Sequence, residues 1–138
     1  MNMSEFIESI QLSIEDIEKI GRDGQTEGMS KLFINKLQDL DIVKRPVHCS
    51  DLKKEIIYVK DNDIWERDNN DKVKIKNAIN VIAKKQVDTI KTWEELNPQW
   101  KNNDNSIIEY CEYIHAITSS NLKKYNKIIK NIVKEIVI

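Results

Sequence analysis

The chain has 138 residues, 33% of them charged and 40% hydrophobic, which suits one domain with one core and is too apolar for disorder. A net charge of −1 excludes a polycation, two distant cysteines exclude a disulfide framework, and no apolar run has membrane length. With only 3 Gly and 2 Pro, long helices are favoured over a many-stranded sheet, and a soluble protein of a reducing compartment, not secreted, is expected.

In chain order, EFIESIQL (5–12) fits a short helix or a strand equally. Ser13 opens SIED, a capping-box start with Asp in place of Glu or Gln, and Ile14, Ile17 and Ile20 follow at helical spacing. Gly21 is expected to stop that helix, with GRDG (21–24) as the turn. Thr26 can cap the next helix, whose buried stripe is Met29, Leu32, Phe33, Leu37 and Leu40.

The segment DIVKRPVHCSD (41–51) reads as a connector, because Pro46 breaks a helix and pushes Arg45 to extended backbone. IIYVKDNDIW (56–65) reads as a β-hairpin. A two-residue Asp61-Asn62 loop would set Val59 opposite Ile64 and Tyr58 opposite Trp65. From Asp71 a long helical stretch carries Ile75, Ile79, Ile82, Val87, Ile90 and Trp93 on one face, with a slip near Gln86 that suggests a break. Asn97-Pro98 ends it. Ile107, Cys111 and Ile114 share the next helical face, widened by Tyr110 and Ile117. Leu122, Tyr125, Ile129, Ile132 and Ile136 alternate steps of three and four on the last helix.

Charge is segregated along this chain. Residues 1–28 hold seven acids against Lys19 and Arg22, whereas residues 120–138 hold five lysines against Glu135. Residues 31–60 are also net basic, and a basic face can serve a neutral protein.

The octapeptide KRPVHCSD (44–51) concentrates chemistry-bearing residues. Neighbouring side chains of an extended segment point opposite ways, so His48 and Cys49 are poorly placed to chelate one ion or to act as a nucleophile and base. A zinc site would need Cys111 and His115, which lie four apart on one helix. A structural corner between helix and hairpin is the preferred reading, and no metal, cofactor or catalytic residue is expected. GRDG resembles the GXXG loop of KH domains, but Asp23 inside it would repel phosphate. The stronger pattern is SIEDIEKIG, a turn, and MSKLFINKLQDLDIVKRP, which reads as a helix-turn-helix with hairpin 56–65 as its wing. Ser30, Lys31, Asn35 and Gln38 would then hydrogen-bond bases or phosphates, and Lys44, Arg45, Lys53, Lys54 and Lys60 would hold the backbone of duplex DNA.

KRPVHCSDLKKEIIYVKDNDIWERD, then KIKNAINVIAKKQ, and YNKIIKNIVKEIVI at the end, resemble a recurrent domain of uncharacterised proteins of giant DNA viruses of protists. The resemblance spans most of residues 5–138, although EYCEYIHAITSS departs from the usual pattern. It implies the C-terminal module of a longer viral protein, located in the cytoplasmic viral factory or the virion. It implies no activity and no catalytic residue.

The expectation is therefore a single domain over 1–138, α+β and mainly helical. A helix-turn-helix-like N-terminal part with one winged-helix-like β-hairpin precedes a helical C-terminal half. Its expected role is non-enzymatic duplex DNA binding through Lys31, Asn35, Lys44, Arg45, Lys53, Lys54 and Lys60. Self-association as a dimer through Leu122, Tyr125, Ile129, Ile132 and Ile136 is also expected, and the alternative is a protein-interaction or homo-oligomerisation module without nucleic-acid binding. No membrane partner is expected.

Overall fold

A computed structural model describes residues 1–118 and 122–138, and the side chains of 1–115 and 124–138. The fold is α+β and mainly helical. Among the described residues are six α-helices and one three-stranded antiparallel sheet, order β1-β2-β3. No described helix is long and apolar enough to cross a membrane.

The ambiguous N-terminal segment is a helix, α1 (Met3–Ser9), which buries Met3, Phe6 and Ile7. Helix α2 (Ile14–Asp23) starts at the expected box: the Asp16 amide donates to Ser13 Oγ (3.1 Å), and Asp16 Oδ2 accepts from the Ser13 amide (2.9 Å). It does not stop at Gly21. A β-carbon there would lie 2.7 Å from the Tyr113 ring, so Gly21 allows a close approach between helices. The break falls at Gly24, whose φ of 85° suits a residue without a side chain. GRDG is therefore mostly helix, which removes the KH-type loop. Helix α3 (Gln25–Gln38) begins at once, with Gly24 rather than Thr26 at its cap. Met29, Leu32, Phe33 and Leu37 are buried as expected, with Leu40 packed at the margin.

The supposed connector holds a strand, β1 (Val47–Asp51), so the sheet has one strand more than a hairpin. It pairs with β2 (Ile56–Asp61) through Val47↔Val59, His48↔Tyr58 and Cys49↔Ile57. β2 pairs with β3 (Ile64–Arg67) through Asp61↔Ile64, Lys60↔Trp65, Val59↔Glu66 and Tyr58↔Arg67. The loop is thus Asn62-Asp63, one residue later than expected, with φ of 51° and 63°. Asn and Asp both tolerate the left-handed backbone that a two-residue hairpin loop demands. Contacts to the N-terminus add to the choice of register: the Asp63 amide donates to Asn2 Oδ1 (2.9 Å), and Ser4 Oγ donates to Asp61 Oδ1 (2.9 Å). Tyr58 and Trp65 keep a common face but are diagonal neighbours, not opposite ones.

Helix α4 (Val73–Leu96) runs without a break. Its N-terminus is capped by buried Asp68, which accepts from the amides of Asn69, Lys74 and Ile75 at 3.0–3.1 Å. The apparent slip at Gln86 is a polar residue standing in the apolar stripe: Gln86 is fully buried, and Val87 is 39% exposed instead. Gln25 Nε2 donates to Gln86 Oε1 (2.9 Å), which ties α3 to α4.

Helices α5 (Asp104–Thr118) and α6 (Leu122–Val133) complete the chain. Among the described side chains of α5 the deeply buried one is Tyr113, edge-on to Trp93 (5.6 Å). Of the face expected here, Tyr110 and Ile114 pack against the cluster around Trp93, Cys111 is exposed, and Ile117 lies outside the described side chains. The main core joins α1, α3, the inner sheet face, the first half of α4 and α6. A second cluster joins Ile17, Ile20, Ile90, Trp93 and Tyr113.

Ile129, Ile132 and Ile136 lie in the main core with Ile128 and Val133, and Tyr125 packs against it and donates to Asn80 Oδ1. Leu122, the other member of the stripe, lies outside the described side chains. The described side chains of the stripe expected to seat a second copy therefore pack in this chain's own core. The end of the chain completes the closure: the Cys49 amide donates to the Ile136 carbonyl (2.9 Å), and the Ile138 amide to the Cys49 carbonyl (3.1 Å).

The buried glutamine pair makes a direct test. Gln25 Oε1 and Gln86 Nε2 have no partner among the described residues. Gln25→Leu alone leaves a buried amide unmatched and should cost about 1–3 kcal/mol in urea unfolding. Gln25→Leu with Gln86→Leu should recover most of that loss, giving a coupling energy of opposite sign to the single effects.

Candidate nucleic-acid interface

The seven expected contact residues fall into three places. Lys31 and Asn35 are exposed on α3, in a cleft of about 400 Å³ against α2. That cleft mixes signs: Lys31 Nζ pairs with Asp23 (3.4 Å), and Asp16 and Asp39 also line it. Ser30 is buried, donating to the Thr26 carbonyl (2.6 Å) and accepting from Asn131 (3.1 Å), so it cannot face a base. The hairpin tip carries Asp61 and Asp63 and is tied to α1, so it lacks the free basic character of a wing.

Arg45 is a cap. Its Nε donates to the Leu37 (2.9 Å) and Leu40 (3.2 Å) carbonyls at the end of α3, where a cation also complements the helix dipole. Lys44 beside it is exposed.

Lys53, Lys54 and Lys60 belong to the sheet. Residues 52–55 form the turn between β1 and β2, stabilised by the Lys54 amide donating to Asp51 Oδ1 (3.1 Å), and both lysines project into solvent. Lys60 lies on the outer sheet face. Period-two alternation decides what that face carries. Val47, Cys49, Ile57 and Val59 point into the core. His48, Tyr58, Lys60, Trp65 and Arg67 therefore point out. The His48 and Trp65 rings stack at 5.1 Å, reaching towards each other over β2. Burial, and next the nearby Arg45 charge, lower the His48 pKa, so the imidazole is a neutral ring at neutral pH.

Charge on this segment is sorted. Every carboxylate from 51 to 68 has a partner. Asp51 takes the Lys54 amide, Glu55 pairs with Lys72 (2.8 Å), Glu66 pairs with Lys74 (2.9 Å), Asp61 and Asp63 hold α1, and Asp68 caps α4. The side-chain nitrogens of Lys44, Lys53, Lys54, Lys60 and Arg67 have no hydrogen bond or ion pair among the described residues. Arg67, Tyr58 and Trp65 were not foreseen as one surface with Lys60. The repeats Tyr58-x-Lys60 and Trp65-x-Arg67 were the available signal, since each sets an aromatic and a cation on the same side of a strand.

KRPVHCSD is thus a helix cap leading into a strand. Cys49 is buried in the core, where burial foremost raises its thiol pKa, and His48 faces away from it. Among the described residues, no group of three or more His, Cys, Asp and Glu side chains is placed to hold a metal. No family model matches the chain, and no curated protein or solved structure matches it.

Two outcomes follow. Trp65 is 41% exposed, so Trp65→Ala should cost about 1 kcal/mol or less in urea unfolding, against about 3–5 kcal/mol for buried Trp93→Ala. His48 resists protonation when folded, so the unfolded chain binds the extra proton. Stability should then fall as pH drops below about 6.5, and His48→Gln should flatten that slope before the carboxylates titrate.

Proposed function

We propose that this protein is a non-enzymatic nucleic-acid-binding module, and that it contacts the polymer through the sheet and its β1–β2 turn. One observation carries this reading. Over residues 44–68 every carboxylate has a partner, while the side chains of Lys44, Lys53, Lys54, Lys60 and Arg67 have none among the described residues, and Lys60 and Arg67 share the outer sheet face with Tyr58 and Trp65. Unpaired cations on the outer sheet face and in the adjoining turn suit contact with a polyanion. Exposed Tyr58 and Trp65 among these cations favour a nucleic acid over a simple phosphate. The contact through Lys31 and Asn35 on α3 has less support, because Asp23 engages Lys31. The alternative of a homodimer through the 122–136 stripe has less still, because its described side chains are core. The resemblance to giant-virus proteins supports a role in the viral factory or virion.

Salt dependence tests the reading. A labelled oligonucleotide should bind at low salt, with affinity falling steeply as salt rises, because each neutralised phosphate releases counterions. Lys53→Glu with Lys54→Glu should weaken binding and leave the unfolding free energy within about 0.5 kcal/mol of the parent. Equal binding by parent and variant would remove the β1–β2 turn from the interface.

A further inference from the structure

We infer that the outer sheet face is a stacking platform for a single strand of nucleic acid, taking unpaired bases on its rings and phosphates on its cations. This rests on the nucleic-acid reading above and names the form of the ligand. The antiparallel register sets His48, Tyr58 and Arg67 in one row across the three strands, with Lys60 and Trp65 in the next. Aromatic and cationic side chains thus alternate over one open surface. Trp65 is 41% exposed and Tyr58 37%, so each keeps ring surface for a partner, and His48 braces the indole from the β1 side.

Diagonal neighbours such as Tyr58 and Trp65 lie roughly 7–8 Å apart, a gap that successive nucleotides of an unstacked strand can bridge. The cations continue the track in both strand directions. Lys44 precedes β1 at the Trp65 end, and Lys53 and Lys54 lie beyond Arg67 at the other. From Lys60 to the start of β2 at Ile56, where the turn carrying Lys53 and Lys54 begins, the path is roughly 13 Å at the usual rise per strand residue. The outward carboxylate is Asp51, at the loop end, and it is turned into the β1–β2 turn by the Lys54 amide. A duplex hides its base faces inside the stack, so it could use the cations but not the rings. Exposed rings between cations therefore select a strand whose bases are free.

The experiment titrates the intact chain at one low salt concentration with fluorescent oligo-dT and with a duplex of the same length, following anisotropy. Oligo-dT should bind more tightly than the duplex. Trp65→Ala should weaken oligo-dT binding between about fivefold and a hundredfold, the range for one lost base stack, and Trp65→Phe should restore most of it. Neither substitution should shift duplex affinity more than about twofold, and both proteins should unfold near the parent midpoint. Equal affinity for the two forms, with Trp65→Ala harmless while Lys53→Glu/Lys54→Glu still weakens both, would overturn the platform and leave the broader nucleic-acid reading standing. No binding of either form at low salt would overturn both.

Discussion

The backbone of Cys49 is held from both sides. On one edge β1 pairs with β2, and on the other Cys49 exchanges hydrogen bonds with Ile136 and Ile138 at the end of the chain. This arrangement couples the middle of the sequence to its end and draws α6 onto the core. It satisfies an edge that would otherwise stay unpaired, and it commits the inner side of β1 to burial. Val47 and Cys49 then sit with Phe33, Ile57, Ile79 and Ile132 in one cluster. Once β1 is fixed this way, alternation leaves His48 no choice but the outer face.

The same constraint arranges the surface. Along β2 and β3 the inward or edge positions hold Asp61 and Glu66, which find partners on α1 and α4. The outward positions hold Lys60 and Arg67, which find none among the described residues. A protein of net charge −1 thus separates its signs locally without any long basic run. The helix pair α2–α3 interleaves its signs instead, with Lys31 paired to Asp23 and with Asp16 and Asp39 in the same cleft.

Much of the helical content was legible because it rests on local rules. Ser13-x-x-Asp16 marked a cap, and the stripe from Met29 to Leu37 marked a buried helix face. What failed depended on distant partners. Gly21 looked like a stop signal because Tyr113, which needs the missing side chain, is far away in sequence. Gln86 looked like a break because Gln25, which satisfies it, lies on another helix. The extended backbone at 47–49 was legible, but not its membership of the sheet, because its partners at 57–59 and 136–138 had first to be placed beside it. The hairpin register turned on the tolerance of Asn62 and Asp63 for positive φ and on contacts with Asn2 and Ser4, not on matching Val59 to Ile64. The candidate interface residues were partly legible: the lysines of the sheet region stood out by charge, while the aromatic neighbours needed the register.

Amide chemical-shift mapping with a short unpaired oligonucleotide tests the central claim most directly, because it locates the contact without a substitution. Shifts should concentrate at His48, Tyr58, Lys60, Trp65 and Arg67 and in the turn at Lys53 and Lys54, with α3 unmoved. Shifts concentrated at Lys31 and Asn35 instead, with the sheet silent, would contradict the account and return the contact to the helix pair.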